Sequence, residues 1–379
     1  MPARMRQEDR AVVGLLGFLH GTVHANLLAI PVFLNLAWRA EFQADDVTVG
    51  LLAATTYACY GLSSVPFGYL ADHRPPTKLL VICIGGIAAS LASVAVSPSL
   101  PWLALSLAAL GLSSGVYHPT GLAAISRTVE AQGRGMGWHG MGGSLGIALG
   151  PAFVGAALAA GWPWRSAVGF LVLLPLLGLA WLTLQRLPGA ATSGPAALSV
   201  PLRSLATAPF ARILLVYFFA GIAYQGALTF LPRFVGAGPF ALALGLGAVG
   251  QVFAGTLADR RRPDRILFSL SLGGAALLVL LAALTGSSGF VFVALAFGFV
   301  LFSLEALQNT LVTRTAPHPL RGVAFGLAFL SVFGLGSFGA ALAGWLMAAG
   351  QASLMFVALA AALATSGCIA YGVGRSWRR

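Results

Sequence analysis

Gly68-Tyr-Leu-Ala-Asp72-His-Arg74 closes one long apolar stretch of this sequence, and Gly255-Thr-Leu-Ala-Asp259-Arg-Arg261 closes another 187 residues later. At the same offset Arg127-Thr128 matches Arg314-Thr315, and Arg134-Gly135 matches Arg321-Gly322. Four landmarks in one register read as an internal repeat in which the two copies run in the same direction. Working outward from them, each copy holds about six apolar stretches, so the chain divides into two related halves.

The composition agrees with that division. Of 379 residues, 58% are hydrophobic and only 8% charged, and the mean hydropathy is +0.88, whereas soluble domains are roughly half apolar and a quarter charged. Stretches of about 18 to 25 apolar residues suit helices crossing a hydrocarbon core of about 30 Å. Such lengths favour helices over barrel strands, because a helix satisfies its backbone hydrogen bonds within the segment. The spans fall roughly at 11–38, 47–71, 79–97, 101–125, 136–160, 166–185, 209–233, 236–258, 264–284, 288–313, 322–346 and 350–374. The expected fold is an all-α membrane protein of twelve transmembrane helices in two parallel-repeat six-helix halves. The turn between the seventh and eighth spans has little room, with Pro232, Arg233, Gly236, Gly238 and Pro239 crowded together.

A formal net charge of +12 raises the question of nucleic acid, which the placement of the charges answers. With the N-terminus inside, all Lys and Arg except Arg39, Arg165 and Arg233 fall on the cytoplasmic side. This is the positive-inside bias, and it predicts both termini in the cytoplasm of a cell (inner) membrane protein with no role in nucleic-acid binding. Glu41, Asp45 and Asp46 are expected in a solvated outer loop, and Cys59, Cys83 and Cys368 as free, buried thiols within spans. The first apolar segment lacks a small-residue cleavage site and reads as a retained helix. The halves are expected at 1–185 and 209–379, joined across 186–208 by a cytoplasmic linker containing Pro188, Gly189, Gly194, Pro195 and Pro201.

The loop from Gly68 through Asp72 and Arg74 to Lys78 resembles the signature loop of the major facilitator superfamily, with Gly255, Asp259, Arg260 and Arg262 as its second-half copy. The resemblance implies a cytoplasmic gate in which these residues, with Arg134 and Arg321, latch the two halves together. Gly142, Gly146, Gly150, Pro151 and Gly155 resemble the glycine-proline motif of the exporter branches, and the same spacing also serves ordinary close helix packing. More narrowly, Gly111-Leu-Ser-Ser-Gly-Val-Tyr117-His118-Pro119, Gly150-Pro151 and His20 resemble the fosmidomycin-resistance exporters, a family that expels a small phosphonate with the proton gradient. The sequence departs from that family's pattern at His24, where it places an acid, and at Thr120, which follows the His-Pro pair.

Ionisable groups are costly at mid-membrane, by about 2.5–3.5 kcal/mol on insertion scales, and those present usually serve a pathway. Glu305 is the one carboxylate inside the predicted spans, with Gln308 and Asn309 on its helical face. In the repeat register Glu305 stands where His118 stands in the first half. His20 and His24 share a face of the first span, and His139 lies early in the fifth. Glu305 with His24, His118, His139 and His20 is the expected proton and substrate pathway; a neutral imidazole bonded across helices is the alternative for each histidine. Tyr217, Tyr224 and Gln225 recur at helical spacing in the seventh span, with Tyr57 and Tyr60 in the second, as cavity lining or as packing. Arg233 stands at the outer mouth, to attract an anion or to snorkel.

No Walker loop, metal-binding Cys or His spacing, or nucleophile placed with a base occurs. An enzyme, a metal and a cofactor are therefore not expected. The expectation is a monomeric secondary transporter in the lipid bilayer, coupled to protons and exporting a small drug-like or anionic compound. Uptake of a metabolite, and a lipid-translocating or receptor-like use of the same fold, remain open.

Overall fold

A computed structural model describes residues 6–129, 132–185, 187 and 201–373, of which 126, 127, 132–134 and 259 are described by backbone alone. Twelve helical rods account for nearly all of them. Helix α1 runs Gln7–Phe33 and continues through a π-helical turn, Leu34–Trp38, to Arg39–Glu41; α2 is Asp46–His73 and α3 Pro76–Ala95. Helix α4 comprises Leu100–Ser114 and Tyr117–Thr128, α5 is Gln132–Ala159 and α6 Trp164–Leu184. In the second half α7 is Ala208–Val235, α8 Ala237–Arg260, α9 Pro263–Ala283 and α10 Gly289–Thr315. Helix α11 comprises Arg321–Phe329, a π-helical turn Leu330–Gly334, a 3-10 turn Leu335–Ser337 and Phe338–Ala348, and α12 is Ala352–Val373.

Local chemistry starts several of these rods. Prolines in the first turn of α3, α7 and α9 cost no hydrogen bond there and preset the helical φ. Asp45 caps α2 by accepting from the Thr48 backbone N–H at 2.8 Å, and the Thr48 hydroxyl together with that N–H holds its carboxyl below the usual carboxylate range. The crowded α7–α8 turn is a single residue, Gly236, whose φ of 74° lies in the left-handed region that glycine enters without penalty.

Eleven of the rods are long and apolar enough to cross a membrane. The twelfth, α2, has 28 residues but is less apolar, because Thr55, Thr56, Tyr57, Tyr60, Ser63 and Ser64 interrupt it. The packing explains why: α2 lies against α4 on one side and α11 on the other, and much of its surface faces protein. All of these polar residues except Thr55 are buried.

Six interfaces come in matched sets. Helix α1 packs on α5, α2 on α4 and α3 on α6; likewise α7 packs on α11, α8 on α10 and α9 on α12. The halves meet chiefly through α2 with α11 and α5 with α8. A repeat that exchanges α2 for α8 and α5 for α11 turns one of these contacts into the other, as two parallel six-helix halves require. Small residues let the backbones meet. A side chain at Gly146 or Gly150 would run into the carbonyls of Gly21 and Ala25 on α1, and one at Gly61 of α2 into Gly334 of α11. Pro151 is buried inside α5. Gly155 faces Ala237 of α8, so this stripe serves two interfaces.

Several expectations are revised. The fourth span is broken at Gly115-Val116 rather than continuous. Among the described residues no disulfide forms, but only Cys83 is buried; Cys59 is partly exposed and Cys368 exposed. Glu305, expected as the one buried acid, is only partly buried, whereas Asp9, Asp46, Asp72 and Asp264 are buried at helix ends. The joining segment expected over 186–208 falls mostly outside the described residues, with Leu202–Leu205 forming a short 3-10 turn.

Candidate functional site

The break in α4 turns the chain at Gly115 and restarts it at Tyr117, so Tyr117 and His118 lie in the first turn of the second segment. There they meet His20 and His24 of α1 and His139 of α5. His20 Nδ1 donates to the His139 carbonyl at 3.0 Å, since a carbonyl can only accept. The Nε2 of His20 faces His24 Nε2 at 3.0 Å and His118 Nε2 at 3.2 Å. Tyr60 of α2 bonds His118 Nδ1 at 2.5 Å. Tyr117 donates its hydroxyl proton to the Leu16 carbonyl and stands 3.1 Å from His139 Nε2. The His20 ring stacks on that of His139 with centroids 4.2 Å apart. It fits because Gly143 leaves open the space where a Cβ would overlap the imidazole. All four histidines expected from the sequence therefore belong to one cluster. Tyr60 is part of it too; the unforeseen partners are Tyr117 and Gly143.

On the other half, Tyr217 of α7 donates to Asn309 Oδ1 of α10 at 2.8 Å. Glu305 lies one turn earlier on α10, close enough to act electrostatically on Tyr60, Tyr217 and Tyr224. Among the described residues no hydrogen bond joins Glu305 to an imidazole. Tyr60 is bonded to His118 and lies within the electrostatic range of Glu305. Four buried polar atoms of this region lack a protein partner among the described residues: the Tyr57 hydroxyl, both ends of the Gln225 amide and Gln308 Nε2. Buried polar atoms are nearly always satisfied, and here a polar ligand or water would satisfy them.

An aromatic group divides the region. The π-helical turn of α11 carries Phe333, whose ring lies 4.5 Å from Tyr60, 6.3 Å from Tyr57 and 6.1 Å from Tyr224, and Phe329 lies 5.0 Å from His118. A π turn adds a residue to the helical circuit and re-aims the side chains that follow, which is why such turns recur at working sites. Neither π turn was legible from hydropathy.

The ends of the bundle differ from expectation. The acidic cluster is solvated only in part: Glu41 and Asp45 are exposed, Glu41 pairing with Arg165 at 2.7 Å, whereas Asp46 is buried and bonds Arg233 of α7 at 2.5 Å, with Arg39 at 3.4 Å. Arg233 is thus committed to Asp46, which leaves no support for its role as an anion trap. Nearby, Asn35 in the α1 π turn donates to the Thr229 carbonyl of α7 at 2.6 Å. At the opposite end Gly68 abuts the Gly322 carbonyl, and the Asp72 carboxylate lies over Gly322 at the start of α11. Arg321 donates to the Thr313 carbonyl at 3.2 Å, and Arg74 and Arg260 are exposed. The second copy of the loop does not mirror the first, because nothing approaches the Cβ position of Gly255. The side chains of Arg134 and Asp259 lie outside the described residues.

A cavity of about 1180 Å³ lies elsewhere. It runs along the outer flank between α1, α5 and α6, lined by Gly17, Gly21, Leu145, Leu149 and Phe170, with Arg10 at one end.

The sequence matches the profile of the Major Facilitator Superfamily over residues 13–341. No curated protein matches it. Among solved structures it is similar to a bacterial homologue of the human lysosomal transporter Spinster in an inward-facing, unoccupied conformation, with a TM-score of 0.77, 15% identity and 98% of each chain covered. It is also similar to a variant of the peptide transporter POT, bound to alafosfalin (TM-score 0.73, 15% identity) or to sulfate (0.74, 16%), covering 96% of this chain and 94% of that one in both cases.

Proposed function

The chain belongs to the Major Facilitator Superfamily, and from that premise we propose that it is a proton-coupled secondary transporter that exports a small amphipathic or anionic compound by alternating access. In this reading both termini lie in the cytoplasm of the cell (inner) membrane and the protein works as a monomer. The halves, 1–185 and 209–379, rock about a site between α1, α4, α7 and α10. The gradient is the energy source, since the sequence holds no nucleotide-binding loop.

The observation that carries the proposal is the placement of Glu305. It is the single acid in the middle of a described rod, in a region whose Tyr57, Gln225 and Gln308 have polar atoms without protein partners. Its proton is the one exchanged as the site faces each side, and Asn309, Tyr217 and Tyr224 hold the cargo beside it. His118, His20, His24 and His139 form the facing wall of the pathway. Asp72, Arg74, Gly68 and Arg321, with Arg134, Gly255, Asp259 and Arg260 of the matching loop, close the cytoplasmic end. Gly146, Gly150, Pro151 and Gly155 keep α5 tight against its neighbours as the halves move.

The test is proton-driven flux of a ligand found by thermal-stabilisation screening, measured in liposomes. Glu305→Gln is expected to abolish acceleration by a pH gradient while counterflow at equal pH survives. Gradient-driven flux that persists in Glu305→Gln removes the residue from the mechanism.

A second reading has an observation of its own. The flank cavity between α1, α5 and α6 is apolar and carries a single cation, Arg10, at one end. Those features suit an amphipath with an acyl chain, which would make the cargo lipid-like. Stabilisation by lysophospholipids and not by soluble anions would favour it.

A further inference from the structure

We propose that the imidazoles of His20, His24 and His118 form a binding site for a divalent transition-metal ion of the zinc kind. The inference goes beyond the transport reading and rests only on how the rings meet.

One ring nitrogen from each of three histidines on two helices lies within 4.8 Å of the other two. The two resolved spacings, 3.0 Å from His20 to His24 and 3.2 Å from His20 to His118, approach the edge of a tetrahedral zinc site. Zn–N bonds of about 2.0–2.1 Å place ligand nitrogens about 3.3 Å apart. Hydrogen bonding alone leaves the arrangement frustrated. His20 gives its Nδ1 proton to the His139 carbonyl, so in the neutral ring Nε2 offers one lone pair. That lone pair can accept well from only one proton donor, yet two imidazole nitrogens approach it. A cation at the convergence point uses a lone pair from each ring.

The outer partners are those that metal-ligating histidines use. A ligating imidazole commonly gives its other N–H to a carbonyl or hydroxyl, which fixes the tautomer and the ring orientation. His20 Nδ1 has the His139 carbonyl, and His118 Nδ1 has the Tyr60 hydroxyl. Stacking on His139, and the space left by Gly143, hold the His20 ring in place. Only His24 Nδ1 lacks such a partner among the described residues. Three neutral imidazoles favour zinc, copper, nickel or iron over magnesium or calcium, which prefer oxygen. They also leave a fourth position for water or an anion.

No spacing motif announces this site, because its third ligand is 94 residues from the second. Packing of α4 delivers it: Gly115 packs against the Tyr60 carbonyl, where a Cβ would overlap, and His118, three residues on, meets His20 of α1.

The test uses the purified full chain without a polyhistidine tag, titrated with Co²⁺. The expected result is one Co²⁺ per chain with the intense visible bands of a tetrahedral ion, displaced by Zn²⁺. His24→Gln and His118→Gln should each weaken binding by about 100-fold or more, and Tyr60→Phe by about 10–100-fold as a positioning residue. His73→Gln, on an exposed helix end, should change nothing. Thermal melting establishes that each variant is folded, and Tyr60→Phe keeps the question open to measurement should a histidine variant fail to fold. Absence of saturable tetrahedral Co²⁺, or affinity unchanged in folded His24→Gln, His118→Gln and Tyr60→Phe, overturns the proposal. Gradient-driven flux with and without a chelator is read separately, so the transport reading and the metal site stand or fall independently.

Discussion

At the scale of single residues, the site depends on small groups that make room for larger ones. Gly143 has no polar function, yet its missing Cβ is where the His20 ring lies. Gly143→Ala is therefore expected to push His20 off its contacts with His139 and to weaken Co²⁺ binding at least tenfold, read by the same titration, while the helix itself gains propensity from alanine. The polar residues here were legible one by one, because a charged or imidazole side chain inside an apolar stretch is conspicuous. The histidines were expected in one pathway, but which atoms meet was not legible. His20 and His24 share a helical face by spacing alone, but nothing in the sequence joins them to Tyr117 and His139 in one network.

At the scale of elements, glycine stripes set how closely the rods approach. A side chain on Gly146 would collide with the backbone of Gly21, which cannot retreat without moving α1. Gly146→Val is expected to destabilise the protein by about 1–3 kcal/mol, the usual cost of overpacking, seen as a lower melting temperature in detergent. Gly255→Val, where nothing lies near the Cβ position, is expected to leave melting unchanged. Gly68, whose Cβ position meets the Gly322 carbonyl, differs from Gly255 in the same way, so the two copies of the signature loop look alike in sequence and pack differently. Hydropathy located the rods to within a few residues but missed the break in α4 and both π turns. Those features arise where a neighbour's backbone or ring demands a local change of helical pitch, and an apolar count carries no record of it.

At the scale of the molecule, the two ends of the bundle are held by different chemistry. One end is tied by ions and amides: Asp46 with Arg233 and Arg39, and Asn35 with the Thr229 carbonyl. The other is tied by close backbone contact between α2 and α11 around Gly68, Asp72 and Gly322. Asp46→Asn leaves the α7 cation with a weaker partner. With both arginines about one-third exposed, we expect a loss of about 1–2 kcal/mol from the state in which this end is closed. A difference of that size shifts the population by roughly 5- to 30-fold. Faster thiol labelling of Thr229→Cys in the Asp46→Asn background is the measurement, and an unchanged rate would show that the ion pair does not hold this end shut.

The sequence by itself determined the solvent, the number of rods and the twofold relation between them. Apolar length answers to the bilayer thickness, and a shared register survives without any knowledge of contacts. Tertiary structure decided what the polar residues do to one another. It buried Asp46 of the expected outer acidic loop in a latch, committed Arg233 to that latch, brought His118 against His20 of α1, and left Glu305 without a hydrogen bond to an imidazole among the described residues. The physical reason is range: burial in lipid is a property of each segment, whereas a hydrogen bond or a metal-ligand set depends on ångström-scale approach between side chains far apart in the chain.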